Sequence, residues 1–194
     1  MPTTRKLSIK KIRKHLENNL DETRFEHTLG VAKTAQLLAC LYGIDTDKAY
    51  IAGLLHDCAK NHSTKTKLKL CEKNNVSVTS FELENPSLLH SKVGAIVAKE
   101  DYMIDDEDIL NAIRSHTTGR PGMSLLEKIV FIADYIEPGR PDRPGLEQAR
   151  MLAFTSINAS LKAILKDTLA YLSESDKVID PMTQATFDYY KDEE

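Results

Sequence analysis

Helix starts and stops follow one another along this 194-residue chain, and no stretch alternates apolar and polar residues long enough to make a useful strand. Ile9, Ile12 and Leu16 fall at helical spacing within residues 8–18. Thr23-x-x-Glu26 has the form of a capping box, opening a helix to about Tyr42 with Gly43 as its stop. Asp45 caps the next helix, and lysine-rich residues 64–74 read as a surface helix whose four lysines form a solvated face. After a looser segment over 75–84, Asn85-Pro86 starts a helix with proline in the favoured first position, reaching about Lys99. Asp105 or Asp106 caps a helix ending near His116, and Gly119-Arg120-Pro121-Gly122 breaks the chain. Ser124-x-x-Glu127 is a second capping box, opening LLEKIVFIADYI. Pro138 to Gly145 is too rich in proline and glycine to be helical, and two or three helices follow to about Tyr190. The expectation is an all-α single domain of about nine helices, with a motif core over about 24–150 and C-terminal helices over 151–194.

Composition narrows the function classes. A net charge of −3 gives no bulk attraction to nucleic acid, and the lysine-rich helix lacks interleaved aromatics, so no nucleic-acid partner is expected. No apolar run approaches the roughly 20 residues of a membrane helix, and the basic N-terminus lacks the apolar stretch of a signal peptide. Cys40, Cys58 and Cys71 are odd in number and lack C-x-x-C spacing. Buried free thiols in a reducing cytoplasm are expected.

Polar residues stand where apolar ones belong. Tyr50 to Lys60, YIAGLLHDCAK, reads as an apolar helix ending in the adjacent pair His56-Asp57. His27 shares a helical face with Val31, Thr34 and Leu38. His90 shares one with Val93, Gly94 and Val97, and His116 follows Ile109, Ala112 and Ile113. Asp134 comes four residues after Val130 inside IVFIADYI. One such residue is commonly a satisfied core group. Five helices each turning a His or Asp inward imply a shared site, and imidazole with carboxylate suits a first-row transition metal. His15 and His62 read as surface residues, and the acidic run Asp105 to Asp108 as a helix start complementing the dipole.

The order His27, His56-Asp57, Asp134 resembles the signature of the HD-domain metal-dependent phosphohydrolases. The segments RFEHTLGVA, GLLHDCAK, LLHSKVGA and RSHTTGRPGMSLLEKIVFIADYIEPGR are similar, more closely, to the bacterial YqeK group. That resemblance implies symmetrical hydrolysis of diadenosine tetraphosphate to two ADP, with iron as the usual metal and Mn or Co as other candidates. It implies His27, His56, Asp57 and Asp134 as metal ligands, and a possible homodimer. Arg24 and Lys60 would meet phosphate, and His90, His116, Thr117 and Arg140 would line the nucleoside diphosphate site. In some HD enzymes the positions of His90 and His116 help hold a second metal, and the sequence leaves both roles open.

The chemistry suits these residue types. Neutral water attacks a phosphoanhydride slowly; a bound metal lowers the pKa of water and polarises a phosphoryl oxygen. Arg24, Lys60 and Arg140 would offset charge on the phosphates, with Arg143 a competitor in the same loop. Other nucleotides remain rival substrates, although the alarmone-hydrolase pattern His-Asp-x-x-Glu-Asp and the Gly-Tyr-Pro motif of cyclic dinucleotide phosphodiesterases are absent. A non-catalytic nucleotide-sensing module is the rival of another class, and it usually lacks some of the four ligands kept here.

Overall fold

The computed structural model describes residues 8–175 and 178–193. Among them are eleven α-helices and no strand: α1 (Ile9–Asn19), α2 (Glu22–Leu41), α3 (Thr46–Leu55), α4 (Thr64–Lys73), α5 (Ser80–Glu84), α6 (Leu89–Glu100), α7 (Glu107–Ser115), α8 (Leu125–Ile136), α9 (Leu146–Ala153), α10 (Ile157–Glu174) and α11 (Pro181–Tyr190). The all-α expectation holds, but the count of about nine is short. The segment over 75–84 contains α5, whose five residues are too few for periodicity to register; its capping box joins Thr79 and Glu82. Pro86–Leu88 forms a 3-10 turn ahead of α6.

Cap chemistry accounts for most boundaries. Gly43, at φ 71°, ends α2 with the paired bonds of a Schellman motif, Ile44 N–H to Ala39 O and Gly43 N–H to Cys40 O. Ser124 and Glu127 form the expected capping box. Thr23 and Glu26 do not. Asp21 is the N-cap of α2 and accepts from the Arg24 amide, so Thr23 is already helical.

Helices α2, α3, α7 and α8 pack on one another, with α6 against α7, α9 and α10 against α8, and α11 against α10. The apolar cluster runs from Ile12 on α1 to Tyr190 on α11. Small residues set the α2–α3 approach: Ala32, Ala35, Ala49 and Ala52 are fully buried, and a Cβ on Gly53 would stand 2.8 Å from Ala32 Cα. The backbones touch there, which brings the end of α3 beside α2. Leu54 and Leu55 anchor that end; truncating either to Ala costs about 2–5 kcal/mol. Helix α8 is apolar on nearly every side, as a helix buried among others must be. No helix among the described residues is long and apolar enough to cross a membrane.

Two surface expectations are corrected. Lys67 on α4 is buried, with 6% of its surface exposed, because α4 lies on α6 and turns this position inward; the lysines are not one solvated face. Cys40 is exposed near the end of α2, whereas Cys58 and Cys71 are buried. His62 is half-buried and His15 exposed, the latter bonded through Nδ1 to the Tyr102 hydroxyl at 2.7 Å.

Candidate metal centre

Residues from five helices converge on one point. His27 comes from α2 and His56 caps α3, with Asp57 next in the chain. His90 lies in the first turn of α6, His116 caps α7, and Asp134 lies near the end of α8. His27 Nε2 is 3.0 Å from Asp134 Oδ1. His56 Nε2 is 3.7 Å from that oxygen and 3.5 Å from Asp57 Oδ2. Across Asp57, Oδ1 is 3.2 Å from His90 Nε2 and 3.5 Å from His116 Nε2, and those two nitrogens are 3.1 Å apart.

The other ring nitrogen of each histidine is spoken for. His56 Nδ1 lies 2.7 Å from Gly53 O, His90 Nδ1 2.5 Å from Ser87 O, and His116 Nδ1 2.7 Å from Ile113 O. Each carbonyl sits three residues back in the chain, so the local helical turn holds the ring. A carbonyl only accepts, so Nδ1 carries the hydrogen and a neutral ring turns its Nε2 lone pair to the centre. His27 follows the same rule with a different partner, the Glu137 carboxylate, at 3.0 Å. Orientation of this kind is usual around metal-binding imidazoles.

Lone pairs therefore face lone pairs. His27 Nε2, His56 Nε2 and Asp57 Oδ1 are buried and have no hydrogen-bond partner. Left so, each would carry a desolvation cost of about 1–3 kcal/mol. Two ligand sets, His27–His56–Asp134 and His56–Asp57–His116, have all their ligating atoms within 4.8 Å of one another. A cation at the centre would satisfy the orphaned atoms, so the donor set fits a metal. His90 and His116 differ, because protein donors reach them. Lys60 Nζ is 3.1 Å from His90 Nε2, and the Thr117 hydroxyl is 3.2 Å from both Nε2 atoms.

Cations frame the carboxylates. Arg24 donates to Asp57 Oδ2 at 2.8 Å, and Arg140 donates to both the backbone and the side chain of Asp134. Arg143 stands apart, its guanidinium 3.8 Å above the Tyr135 ring, so Arg140 is the loop arginine at the centre. Beyond Thr117 a cavity of about 720 Å³ opens between α8, α10 and the loop after α8, lined by Phe131, Tyr135, Arg143 and Tyr171.

The HD domain family profile matches residues 24–139, more than half of the chain. This chain belongs to the HD domain family. The chain is similar to symmetrical bis(5'-nucleosyl)-tetraphosphatases, at 44% identity to that of Halalkalibacterium halodurans over 87% of this chain and 89% of the relative. The Bacillus subtilis enzyme of the same name is 39% identical, over 90% and 92%. A crystal structure from Clostridium acetobutylicum, described as a predicted HD superfamily hydrolase involved in NAD metabolism, superposes with a TM-score of 0.93. It is 42% identical and covers 97% of this chain and 99% of that one. HD domains are metal-dependent, in keeping with the His/Asp cluster.

The electrostatics of the HD centre keep the carboxylates charged. Burial works to raise Asp57, but a positive charge or proton on the facing imidazoles of His56, His116 and His90 outweighs burial and holds it far below the usual carboxylate range, a charge that a bound cation would supply when the rings are neutral. Burial likewise opposes, and His27, His56 and Arg140 overcome, so that Asp134 is also held well below that range. Burial pushes His90 down to about 4; Asp57 resists and His116 and Lys60 reinforce the shift, which leaves the ring neutral near pH 7. Burial also pushes the Cys58 thiol up, and its Sγ faces Gly94 O at 3.5 Å, the setting of a structural thiol.

Arg24, His27, His56, Asp57, Lys60, His90, His116, Thr117, Asp134 and Arg140 stand together at this cluster, and Arg143 does not. The sequence reading missed Glu137, because its partner His27 lies 110 residues away and a Glu before Pro-Gly carries no periodic signal. It also missed the second role of Glu127. Beyond the capping box, this buried carboxylate accepts from Ser115 at 2.8 Å and from Arg120 at 2.7 and 2.6 Å. It thereby ties the residue before His116 to the start of the helix that carries Asp134.

Proposed function

We propose that this chain is a metal-dependent bis(5'-nucleosyl)-tetraphosphatase that cleaves diadenosine tetraphosphate symmetrically into two ADP. The observation that carries the reading is the set of buried, unpartnered acceptors His27 Nε2, His56 Nε2 and Asp57 Oδ1 beside ionised carboxylates. The names of the similar bacterial enzymes supply the substrate.

In this reading His27, His56, Asp57 and Asp134 hold one metal, and iron is the ion that the family resemblance favours. When bound, the metal supplies Lewis acidity and a water of lowered pKa. The chain supplies the rest. Arg24, Lys60 and Arg140 neutralise charge on the phosphates, while Thr117 donates its hydroxyl and His90 and His116 orient the diphosphate. The Phe131–Tyr135–Tyr171 cavity takes a nucleoside. Water oxygen bonds to one central phosphorus as the central P–O bridge breaks, and the two protons of water pass to the new terminal phosphates. His90 and His116 serve phosphate here rather than a second metal, since the Lys60 ammonium occupies the neighbourhood a second cation would need.

Chromatographic product analysis tests this. Protein of verified metal content is expected to give ADP as sole product from diadenosine tetraphosphate, and the His56→Ala variant to be inactive. AMP with ATP would overturn the register of attack. No turnover by metal-loaded protein would overturn the substrate.

A further inference from the structure

A second cavity, lined by different helices, also reaches the same centre. It lies between α2 and the 137–141 loop and has a volume of about 790 Å³, against about 720 Å³ for the cavity beyond Thr117. Both fall within the range of small-molecule sites. Arg140 lines both cavities, and His27 and Arg24 bring the second one up to the ligand cluster. From there α2 forms one wall, rising about 15 Å from His27 to Leu37.

We propose that this α2 cavity binds the second nucleoside diphosphate half of a dinucleoside tetraphosphate. The inference rests on the function proposed above and extends it. A substrate with two equal halves, cut at its central bridge, leaves the reacting centre in two directions and needs two receptacles. Two cavities of nearly equal volume with one arginine between them meet that requirement.

The lining offers such a half cations and apolar surface, alongside the carboxylates of Glu22, Glu26 and Glu137. Cations stand next to the centre: Arg24, which spends one N–H on Asp57 and has others to give, and Arg140. Lys33 follows along α2, exposed and outside every ion pair among the described residues. At the far end of α2 Leu37, 56% exposed, offers apolar surface for a base, and Pro141 lines the loop side.

The test compares wild type with Lys33→Glu/Leu37→Asp, two exposed positions remote from the metal ligands. Turnover of diadenosine tetraphosphate is measured beside that of adenosine 5'-tetraphosphate, which has a single nucleoside. The expected result is a preference for the dinucleotide in kcat/KM that falls about tenfold in the double variant, through KM. An unchanged preference, with ADP still the product, overturns the cavity assignment and leaves the proposed function standing. Failure of metal-loaded wild type to cleave the dinucleotide overturns the function and this assignment with it. Matching melting curves for the two proteins exclude misfolding as the cause of a change.

Discussion

Glu137 fills the space that a side chain on Gly30 would need: a Cβ there would overlap Oε2 and stand 3.1 Å from Cδ. The carboxylate that lies across this glycine is the one that holds His27 Nδ1 at 3.0 Å, and it also accepts from the Gly139 amide at 2.6 Å. A missing side chain on α2 thus governs the aim of an imidazole one turn away.

Gly30→Ala should therefore displace Glu137 and release His27. Metal affinity is expected to fall about 10- to 100-fold, as it does when the group orienting a ligand is lost. Alanine gains roughly 1 kcal/mol of helix propensity over glycine, which offsets part of the strain, so helicity should persist. Competition against a chelator, read beside circular dichroism, checks both. Unchanged metal affinity would show that Glu137 does not orient His27.

Lys60 is expected to act on phosphate and not on metal content. Its Nζ lies 3.1 Å from His90 Nε2 and 3.6 Å from Asp57 Oδ1, on a side chain that is one-third exposed. Lys60→Met should lower kcat about 10²- to 10³-fold while bound metal stays at one ion per chain. Two ions per wild-type chain by elemental analysis would instead give His90 and His116 to a second metal.

Glu127 links acid stability to the site. Burial raises its pKa, but Arg120, the Ser124 amide and the Ser115 hydroxyl more than offset this and hold it below the ordinary value. A carboxylate lowered on folding stabilises the protein above its unfolded pKa of about 4.3, and that stability is lost as pH falls through the folded value. Glu127→Gln should cost about 2–3 kcal/mol near pH 7, less than a fully buried pair because Arg120 is 42% exposed. The gap between wild type and variant should close as pH drops below about 4. Denaturant melts across pH 3–7 measure it; a gap independent of pH would mean that Glu127 acts through packing alone.

Lys67 also makes stability rise with pH, but its effect vanishes at the alkaline end. Burial pushes its pKa down and Lys60 adds to the effect, with Asp57 opposing. A base lowered on folding destabilises the fold while it is protonated in the unfolded chain, and the cost disappears above the unfolded value of about 10.4. Lys67→Met is expected to stabilise by about 1 kcal/mol at neutral pH, with the gain shrinking toward pH 10. Thermal melts at pH 7 and pH 10 decide this, and destabilisation at pH 7 would show that Lys67 has a counter-charge.

The sequence by itself determined the all-α class, most of the helix ends and which helices turn a His or Asp inward. Caps such as Ser124 and Glu127, the Gly43 stop and the inward phase of His27, His90, His116 and Asp134 are local, and local patterns are set by the hydrogen bonds and periodicity of a single helix. The resemblance carried by His27, His56-Asp57 and Asp134 gave the expected chemistry, and the family followed from it. Only the tertiary structure decided that Glu137 holds His27, that Glu127 reaches Ser115 and Arg120, that Arg140 and not Arg143 meets Asp134, and that Lys67 is buried while Cys40 is not. These depend on how closely helices approach, as at Gly53 and Ala32, where small side chains let α2 and α3 touch. That distance is a property of two packed surfaces, and neither surface alone contains it.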